Sequence, residues 1–342
     1  MAHYRSIQSL RFLAAIAVVI FHLSDGHFTI GAAGVDVFFV ISGFIMGTVG
    51  VSESPKTFIV KRLARIVPLY WAATLAMCVL ALGGLFSHFT FDGVRLLKSL
   101  LFIPFFSGET TIWPLLVQGW TLNYEMLFYF VFAFGLVLRA PIAFTAVALF
   151  VLVACGLAFR PHAAPLQIWT DPILLEFLAG FAFATFARPA GLGKGSAMMA
   201  LGLAGFALVG WFSAFDSSFR LLTWGLPAAL VVCGALAIER AGAWPVMKPV
   251  EAGGDASYSL YLLHGFAVTL GHRVIGTSLV ANLVITFLAI LASWLCYRLF
   301  ERPVARFLVT LVGSKRRNSA AHAIARKERQ ETPVEALPAS LV

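Results

Sequence analysis

Residues 141–159 read PIAFTAVALFVLVACGLAF, a run of nineteen residues without a charge. About 20 apolar residues in a helix cross the hydrocarbon core of a bilayer. The run is too long and too uniformly apolar for a membrane strand, because the strands of a membrane barrel alternate apolar with polar residues. A helix also pairs its backbone polar groups internally, as a lipid environment requires. The stretch therefore predicts a transmembrane helix.

The composition extends this interpretation to the whole chain. Of the 342 residues, 60% are hydrophobic and 12% are charged, whereas a soluble domain carries roughly 45–50% and about 25%. These values exclude an ordinary soluble enzyme, a disordered chain and a nucleic-acid binder. About 205 apolar residues, at about 20 for each crossing, would supply about ten helices.

We therefore predict an all-α polytopic membrane protein. Residues 1–305 would form one integral-membrane domain, and residues 306–342 a basic, disordered cytoplasmic tail. The predicted spans, bounded by charged or Pro- and Gly-rich flanks, are 7–25, 33–50, 67–86, 116–138, 141–159, 172–187, 196–213, 220–238, 256–275 and 279–300.

The Lys and Arg residues predict the orientation, since cytoplasmic loops are enriched in them. With the N-terminus inside, one side receives 18 of the 25 and the other side five; without the tail the ratio is still ten to five. Both termini are therefore predicted to be cytoplasmic, in a bacterial inner membrane. A cleaved signal peptide over residues 1–25 is disfavoured because His22 interrupts its apolar run. The basic tail would set topology or attract anionic lipid.

Two further features bear on the fold. The longest outward loop, 87–113, contains an amphipathic segment around Val94–Leu101 that predicts a short helix lying on the membrane. The four cysteines lie in apolar runs without CxxC or Cys/His spacing. They predict small core residues, and neither a disulfide framework nor a metal site.

Ionisable residues within the apolar runs need a reason, because a charge in hydrocarbon costs at least about 2.5–3.5 kcal/mol. Arg11 and His22 are eleven residues apart in the first span. In a helix this spacing puts both side chains within about 20° of one face, about 16 Å apart along the axis. Such a histidine, neutral at pH 7, can accept a proton. The alternative is that Arg11 is an anchor and His22 an interhelical hydrogen bonder.

The second span opens with GVDVFFVISGF at residues 34–44. Asp36 would lie on the same side of the membrane as His22, where a carboxylate orients an imidazole and stabilises its cationic form. Asp36 could instead cap the helix N-terminus. Gly43 and Gly47 have the spacing that permits close helix packing.

The loop before the third span contains Lys61, Arg62 and Arg65. Arg62 and Arg65 are three residues apart and share a helical face. Two guanidinium groups suit bidentate binding of phosphate. The alternative is anchoring of the helix at the cytoplasmic surface.

Polar residues also interrupt later spans. Glu125 and Tyr129 are helical neighbours that could recognise a hydroxyl or handle a proton, or join helices by hydrogen bonds. Glu176 could act similarly. Tyr258, Tyr261 and His264 are spaced by three, so they form one polar stripe that predicts a helix face lining a cavity.

Taken in order, these segments resemble the membrane-bound acyltransferase 3 family, and most closely its exopolysaccharide (succinoglycan) and Nod-factor acetyltransferases. The resemblance covers about residues 1–305. The matching segments are Arg11 with His22, residues 34–44, Arg62 with Arg65 followed by Pro68-Leu69-Tyr70, residues 120–125, residues 257–264 and the closing Phe300-Glu301-Arg302-Pro303.

The resemblance implies transfer of an acyl group, usually acetyl, from acetyl-CoA to a sugar hydroxyl of a cell-surface glycan or its lipid-linked precursor. It implies no permanently bound cofactor and no metal. Arg62, Arg65 and Lys61 would hold the CoA phosphates, and Arg11 would lie along the pantetheine path. His22, oriented by Asp36, would be the general base or would itself carry the acyl group. The acceptor pocket would be lined by Glu125, Tyr129, Tyr258 and His264.

A second interpretation is a transporter of a sugar or an acyl donor, with the buried charges forming a proton path. The two differ at Arg62 and Arg65, because an enzyme needs a CoA phosphate site there and a transporter does not. The chain shows no internal repeat of the kind that transporters favour. A purely structural subunit would not explain the polar spacing.

Overall fold

The computed structural model describes residues 4–84, 92–186, 191–212 and 219–312, which form helices and no strand. Three short 3₁₀ turns precede or follow helices, and π-helical segments at Leu221–Gly225 and Tyr297–Glu301 lie directly against two others. The α-helices are α1 (Arg5–Leu23), α2 (Gly34–Thr48), α3 (Pro55–Leu82), α4 (Gly93–Leu100), α5 (Trp120–Val137), α6 (Pro141–Phe159), α7 (Ala164–Trp169), α8 (Leu174–Phe186), α9 (Leu192–Phe212), α10 (Leu226–Arg240), α11 (Lys248–Asp255), α12 (Ser257–Val274) and α13 (Leu279–Cys296).

The predicted fold class is confirmed, since the described part of the chain contains nine helical spans long and apolar enough to cross a membrane. They do not include α12, the predicted span at 256–275. This helix has 18 residues, but its Tyr, Ser and His side chains lower its hydropathy. The last span runs from Leu279 to Val312, twelve residues beyond the predicted end at 300. Residues 306–312, which were predicted to begin the disordered tail, are part of this helical span, and residues 313–342 of the predicted tail lie outside the described residues.

Helix α2 lies at the centre of the bundle. Residues are buried over 67% of its span, against 17% for the spans of α6 and α9. Aromatic rings pack around it, with Phe39 of α2 4.7 Å from the ring of Phe177 of α8. The bundle therefore buries α2 on several sides and leaves α6 and α9 to face lipid.

Glycines let α2 and α8 approach closely. A Cβ on Gly43 would overlap the carbonyl oxygen of Phe177, and one on Gly180 would overlap that of Val40. Gly47 likewise packs against Ala184 of α8. The close packing expected from Gly43 and Gly47 is confirmed, with Gly180 as its complement on the facing helix.

The predicted short helix in the long outward loop is α4. Asp92 caps it by accepting a hydrogen bond from the amide of Val94, and the indole of Trp71 donates to the carbonyl of Leu100 at 2.8 Å. Val94 and Leu97 are 60% and 58% exposed. This apolar face is free to contact lipid, as an interfacial helix requires.

Candidate active site

A cavity of about 90 Å³ lies between α1, α2, α3, α5 and α12. Seven of the residues singled out from the sequence line it, although they come from four different helices; Tyr261 is one of them. The other six are Arg11, Arg62, Arg65, Glu125, Tyr129 and Tyr258. The bundle thus gathers polar groups that are far apart in the sequence into one enclosed space.

Glu125 and Tyr129 form the acidic wall of this cavity. The hydroxyl of Tyr129 donates to Oε1 of Glu125 in a close contact, and Ser42 Oγ donates to the same oxygen at 3.4 Å. The i, i+4 spacing brings the pair together on α5. The expected proximity of the two side chains is confirmed.

Helix α12 supports the cavity from the other side. Nε and Nη2 of Arg11 both donate to Ser257 Oγ, at 3.1 and 2.9 Å. The hydroxyl of Tyr258 donates to the carbonyl oxygen of Ile66 at 2.8 Å. These bonds join α12 to α1 and to α3, so they hold Arg11 and the Arg65 segment at fixed positions beside the cavity.

The arginine end of the cavity is basic. Lys61 forms a close ion pair with Glu53, and Nη2 of Arg62 lies 3.9 Å from the same carboxylate. Arg62 is stacked over the ring of Phe58 at 5.4 Å. Its Nε is buried and has no hydrogen-bond partner among the described residues. A buried donor without a partner is costly unless a ligand satisfies it.

The expected contact between Asp36 and His22 is wrong. Nε and Nη2 of Arg220 donate to the two carboxylate oxygens of Asp36, at 3.0 and 2.7 Å. Asp36 is 0% exposed, and a buried carboxylate needs such a partner. Its side chain is therefore committed to the segment before α10. The other expectation holds in part: Asp36 lies in the first turn of α2, where a carboxylate suits the helix dipole, but the helix has no side-chain cap.

Glu176 belongs to the same cluster and not to the cavity. It is buried beside Gly225 and interacts electrostatically with Asp36 and Arg220. Arg220 also lies 5.7 Å from the ring of Trp120. In the sequence, Arg220 is only one of the five Lys and Arg residues assigned to the outer side. One feature of the sequence indicated its role: a carboxylate inside an apolar run, such as Asp36, needs a cation nearby.

His22 lies beside His264 instead. Their ring centroids are 4.9 Å apart, and His22 is exposed at the end of α1 whereas His264 is 1% exposed. Nδ1 of His264 lies 2.5 Å from the carbonyl oxygen of Tyr261. Because a carbonyl only accepts, Nδ1 carries the hydrogen of the neutral ring and Nε2 carries the lone pair. That Nε2 has no partner in the described part of the protein.

A chain of rings connects the histidines to the cavity. Phe38 and Tyr261 line the cavity, with ring centroids 5.9 Å apart, and Tyr261 is 5.9 Å from His264. The hydroxyl of Tyr261 is 3.1 Å from that of Thr121. His264 was expected to line the same pocket as Tyr258. It lies beyond Tyr261 and faces His22.

Comparison with known proteins now decides the family. Residues 4–298 match the acyltransferase domain of the acyltransferase 3 family. The chain belongs to this family. It is 42% identical to the exopolysaccharide production protein ExoZ of Rhizobium meliloti over 309 residues, which are 84% of this chain and 95% of that protein.

Two more distant relatives match almost the whole chain. The putative membrane-bound transacylase BcsY of Komagataeibacter xylinus is 27% identical over 87% of this chain and 82% of its own length. The acyltransferase MdmB of Streptomyces mycarofaciens is 26% identical over 89% of this chain and 92% of its own length. No solved structure matches significantly. The chain is thus a multi-pass membrane protein of an acyl-transferring family.

This acyltransferase has further polar residues that sequence analysis did not place. Ser257 holds Arg11, and Glu301 accepts a hydrogen bond from Ser259 at 2.5 Å. Glu301 is buried because the π-helical segment at Tyr297–Glu301 turns it inward; such segments often occur at functional sites. The Phe300-Glu301-Arg302-Pro303 motif drew attention to Glu301, but it did not indicate that this side chain is buried.

Proposed function

We propose that this protein is an O-acyltransferase of the bacterial inner membrane. It transfers an acetyl group from acetyl-CoA to a sugar hydroxyl of a cell-surface glycan or its lipid-linked precursor. The observation that carries the proposal is the polar cavity itself, with arginines at one end and ring contacts to His22 at the other. The name of the relative in exopolysaccharide production supports a glycan acceptor.

The arginine end would receive the donor. Arg62 offers a buried Nε without a partner among the described residues, and no described ion pair engages Arg65. Guanidinium groups bind phosphate oxygens bidentately. Lys61 would add charge at the edge, and Arg11 would lie beside the pantetheine arm. The thioester would then point into the cavity toward Tyr261.

The acceptor would meet the thioester at the histidine end. His22 takes the proton of the sugar hydroxyl, the oxygen attacks the thioester carbonyl carbon, and the carbon–sulfur bond breaks. The departing CoA thiolate takes up the proton from His22, which returns the imidazole to its neutral form. During the reaction the N–H of His22 would donate to Nε2 of His264, whose ring lies 4.9 Å away and whose Nε2 has no other partner among the described residues; the sequence had suggested Asp36 for this role. Glu125, Tyr129 and Tyr258 would position the reacting groups.

Inverted membrane vesicles test the proposal, because they present the predicted cytoplasmic face to added radiolabelled acetyl-CoA. Label entering glycan and release of CoA are followed in the wild type, in His22→Ala and in Arg62→Ala/Arg65→Ala. We expect His22→Ala to bind CoA but not to transfer, and the double variant to lose CoA binding. Arg139→Ala, a loop arginine outside the cavity, is the matched control.

The proposed acyltransferase activity would be refuted if all variants behaved alike or if the wild type did not bind CoA. A transporter with a proton path would then be the better interpretation, and uptake of labelled sugar into the same vesicles would test it directly.

A further inference from the structure

Two wider cavities open at the arginine end of the central one. One, of about 610 Å³, lies between α1, α3 and the last helical span. The other, of about 260 Å³, lies between α1, α11 and the same span. Arg11 and Arg65 line all three cavities. The three spaces therefore meet at these two side chains, and together we call them the donor mouth.

The donor mouth carries an excess of positive charge. Its cations are Arg11, Lys61, Arg62, Arg65, Arg302 and Arg306. The carboxylates near them number four, and each already has a partner: Glu53 pairs with Lys61, Asp255 accepts from Gln8 at 3.0 Å, Glu301 accepts from Ser259, and Glu125 accepts from Tyr129. Concave, basic surfaces of this kind concentrate polyanions.

Arg302 and Arg306 are the part of this charge that the proposed function leaves unused. They are four residues apart on one helical face, beyond the π-helical segment. The opposite face of this helix, with Val304, Leu308 and Leu311, lines an apolar groove along α3 and α5. No ion pair of the described residues engages either arginine. The helix thus presents two arginines to the mouth.

The order of the arginines along the path matches the order of charges on a CoA thioester. Arg62 and Arg65 reach the central cavity, whereas Arg302 and Arg306 line only the outer spaces. In CoA the thioester comes first, the pyrophosphate follows, and the ribose 3′-phosphate lies at the far end. A donor with its thioester inward would place its last phosphate furthest out.

We propose that Arg302 and Arg306 form a second anion subsite, which binds the 3′-phosphate of CoA. This inference rests on the proposed use of acetyl-CoA. It makes the enzyme selective for a free CoA thioester, because an acyl-phosphopantetheine group on a carrier protein has no 3′-phosphate. The same guanidinium groups could instead hold the phosphate of an anionic lipid at the membrane surface.

Binding of CoA and of 3′-dephospho-CoA to the full-length protein in nanodiscs tests the subsite. We expect the wild type to prefer CoA on the order of tenfold, as charge-assisted hydrogen bonds to one phosphate would give. Arg302→Ala/Arg306→Ala should bind both ligands equally, at the affinity of the wild type for 3′-dephospho-CoA. The control is Arg298→Ala, which removes an arginine of the same helix that stacks 5.0 Å from the ring of Trp294.

The outcomes separate the two proposals. If the wild type binds neither ligand, the proposed function fails and this inference with it. If the wild type binds CoA but the double variant keeps the preference for it, only the 3′-phosphate subsite is refuted. Nanodiscs of neutral and of anionic lipid form the second arm. A double variant that loses enrichment of anionic lipid and keeps the CoA preference would assign the arginines to lipid.

Discussion

His264 is the residue whose interpretation changed most. The sequence placed it in a polar stripe, and that stripe exists, but consecutive members contact different partners. Tyr258 reaches a carbonyl of α3, and His264 faces His22. A stripe predicts that a face is polar. It does not predict which neighbour each side chain meets, because that depends on helices far away in sequence.

The first prediction concerns the lone pair on His264. Replacement by Phe keeps the ring but removes the acceptor for His22, so we expect transfer to fall roughly 10²-fold, the lower range for general-base catalysis. Gln, whose amide oxygen can lie near the position of Nε2, should restore part of the rate. The measurement is kcat and KM for acetyl-CoA, and the loss should be in kcat.

A loss confined to KM would contradict this role for His264, as would a Phe variant as active as the wild type. His272→Phe is the control, because His272 of the same helix bonds to Asn282 at 3.1 Å and lies outside the cavity.

The second prediction separates the two interpretations of Asp36. Asp36→Asn breaks the ion pair with Arg220. Breaking a buried pair costs about 3–5 kcal/mol, and Glu176 of the same cluster offsets part of this cost. We expect a lower thermal stability in detergent. The double variant Asp36→Asn/Arg220→Gln should regain part of it. If Asp36→Asn instead abolished transfer at unchanged stability, the carboxylate would be acting on His22 after all.

At the level of helices, the contact between α2 and α8 is the tightest point of the fold and supplies the third prediction. Gly43→Ala places a methyl group against the carbonyl of Phe177, so the helices must separate. We expect a drop in thermal stability or in folded yield. Gly193→Ala, on α9 with open space around it, should be neutral or stabilising by up to about 1 kcal/mol. Equal stabilities would show that the contact tolerates a methyl group.

Helices were the best-predicted level of this structure. Long uncharged runs such as 141–159 match their helix at both ends. A backbone in lipid has no water to bond with, so a helix that pairs its own polar groups is the structure such a run adopts. The end of the last helix was placed too early, because Glu301 and Arg302 resemble a boundary. In the structure the π-helical segment at Tyr297–Glu301 turns Glu301 inward, and the helix continues.

For the molecule as a whole, the proposed mechanism requires the arginines inside and His22 outside, and this is the fourth prediction. Exposed single cysteines report the two faces: Ser52→Cys beside the arginine end and Glu109→Cys in the long loop. In intact spheroplasts an impermeant maleimide should label only Glu109→Cys. Ser52→Cys should react after permeabilisation. The reverse pattern would place the CoA site on the wrong side of the membrane.

The gathering of the cavity residues was predictable only in part. Arg11 and Glu125 were chosen because a charge in lipid is expensive, and this physical cost favours an interior space for them. Arg62 was chosen for its spacing from Arg65, and Tyr258 for its place in a polar stripe. The pairing of Asp36 with Arg220, 184 residues away, follows from how α2 and α10 pack. A single sequence does not encode that packing in any local pattern.

The rings of Phe38 and Tyr261 have a consequence for the energy supply of the cell. The proposed reaction needs a passage in which a thioester from inside meets a hydroxyl from outside. If that passage were filled with water, protons would leak through it and dissipate the proton gradient across the membrane. Apolar constrictions keep such passages dry, and these two rings stand in contact between the cavity and the histidines. Under the proposed function, these rings would let the enzyme join substrates from both faces of the membrane without conducting protons.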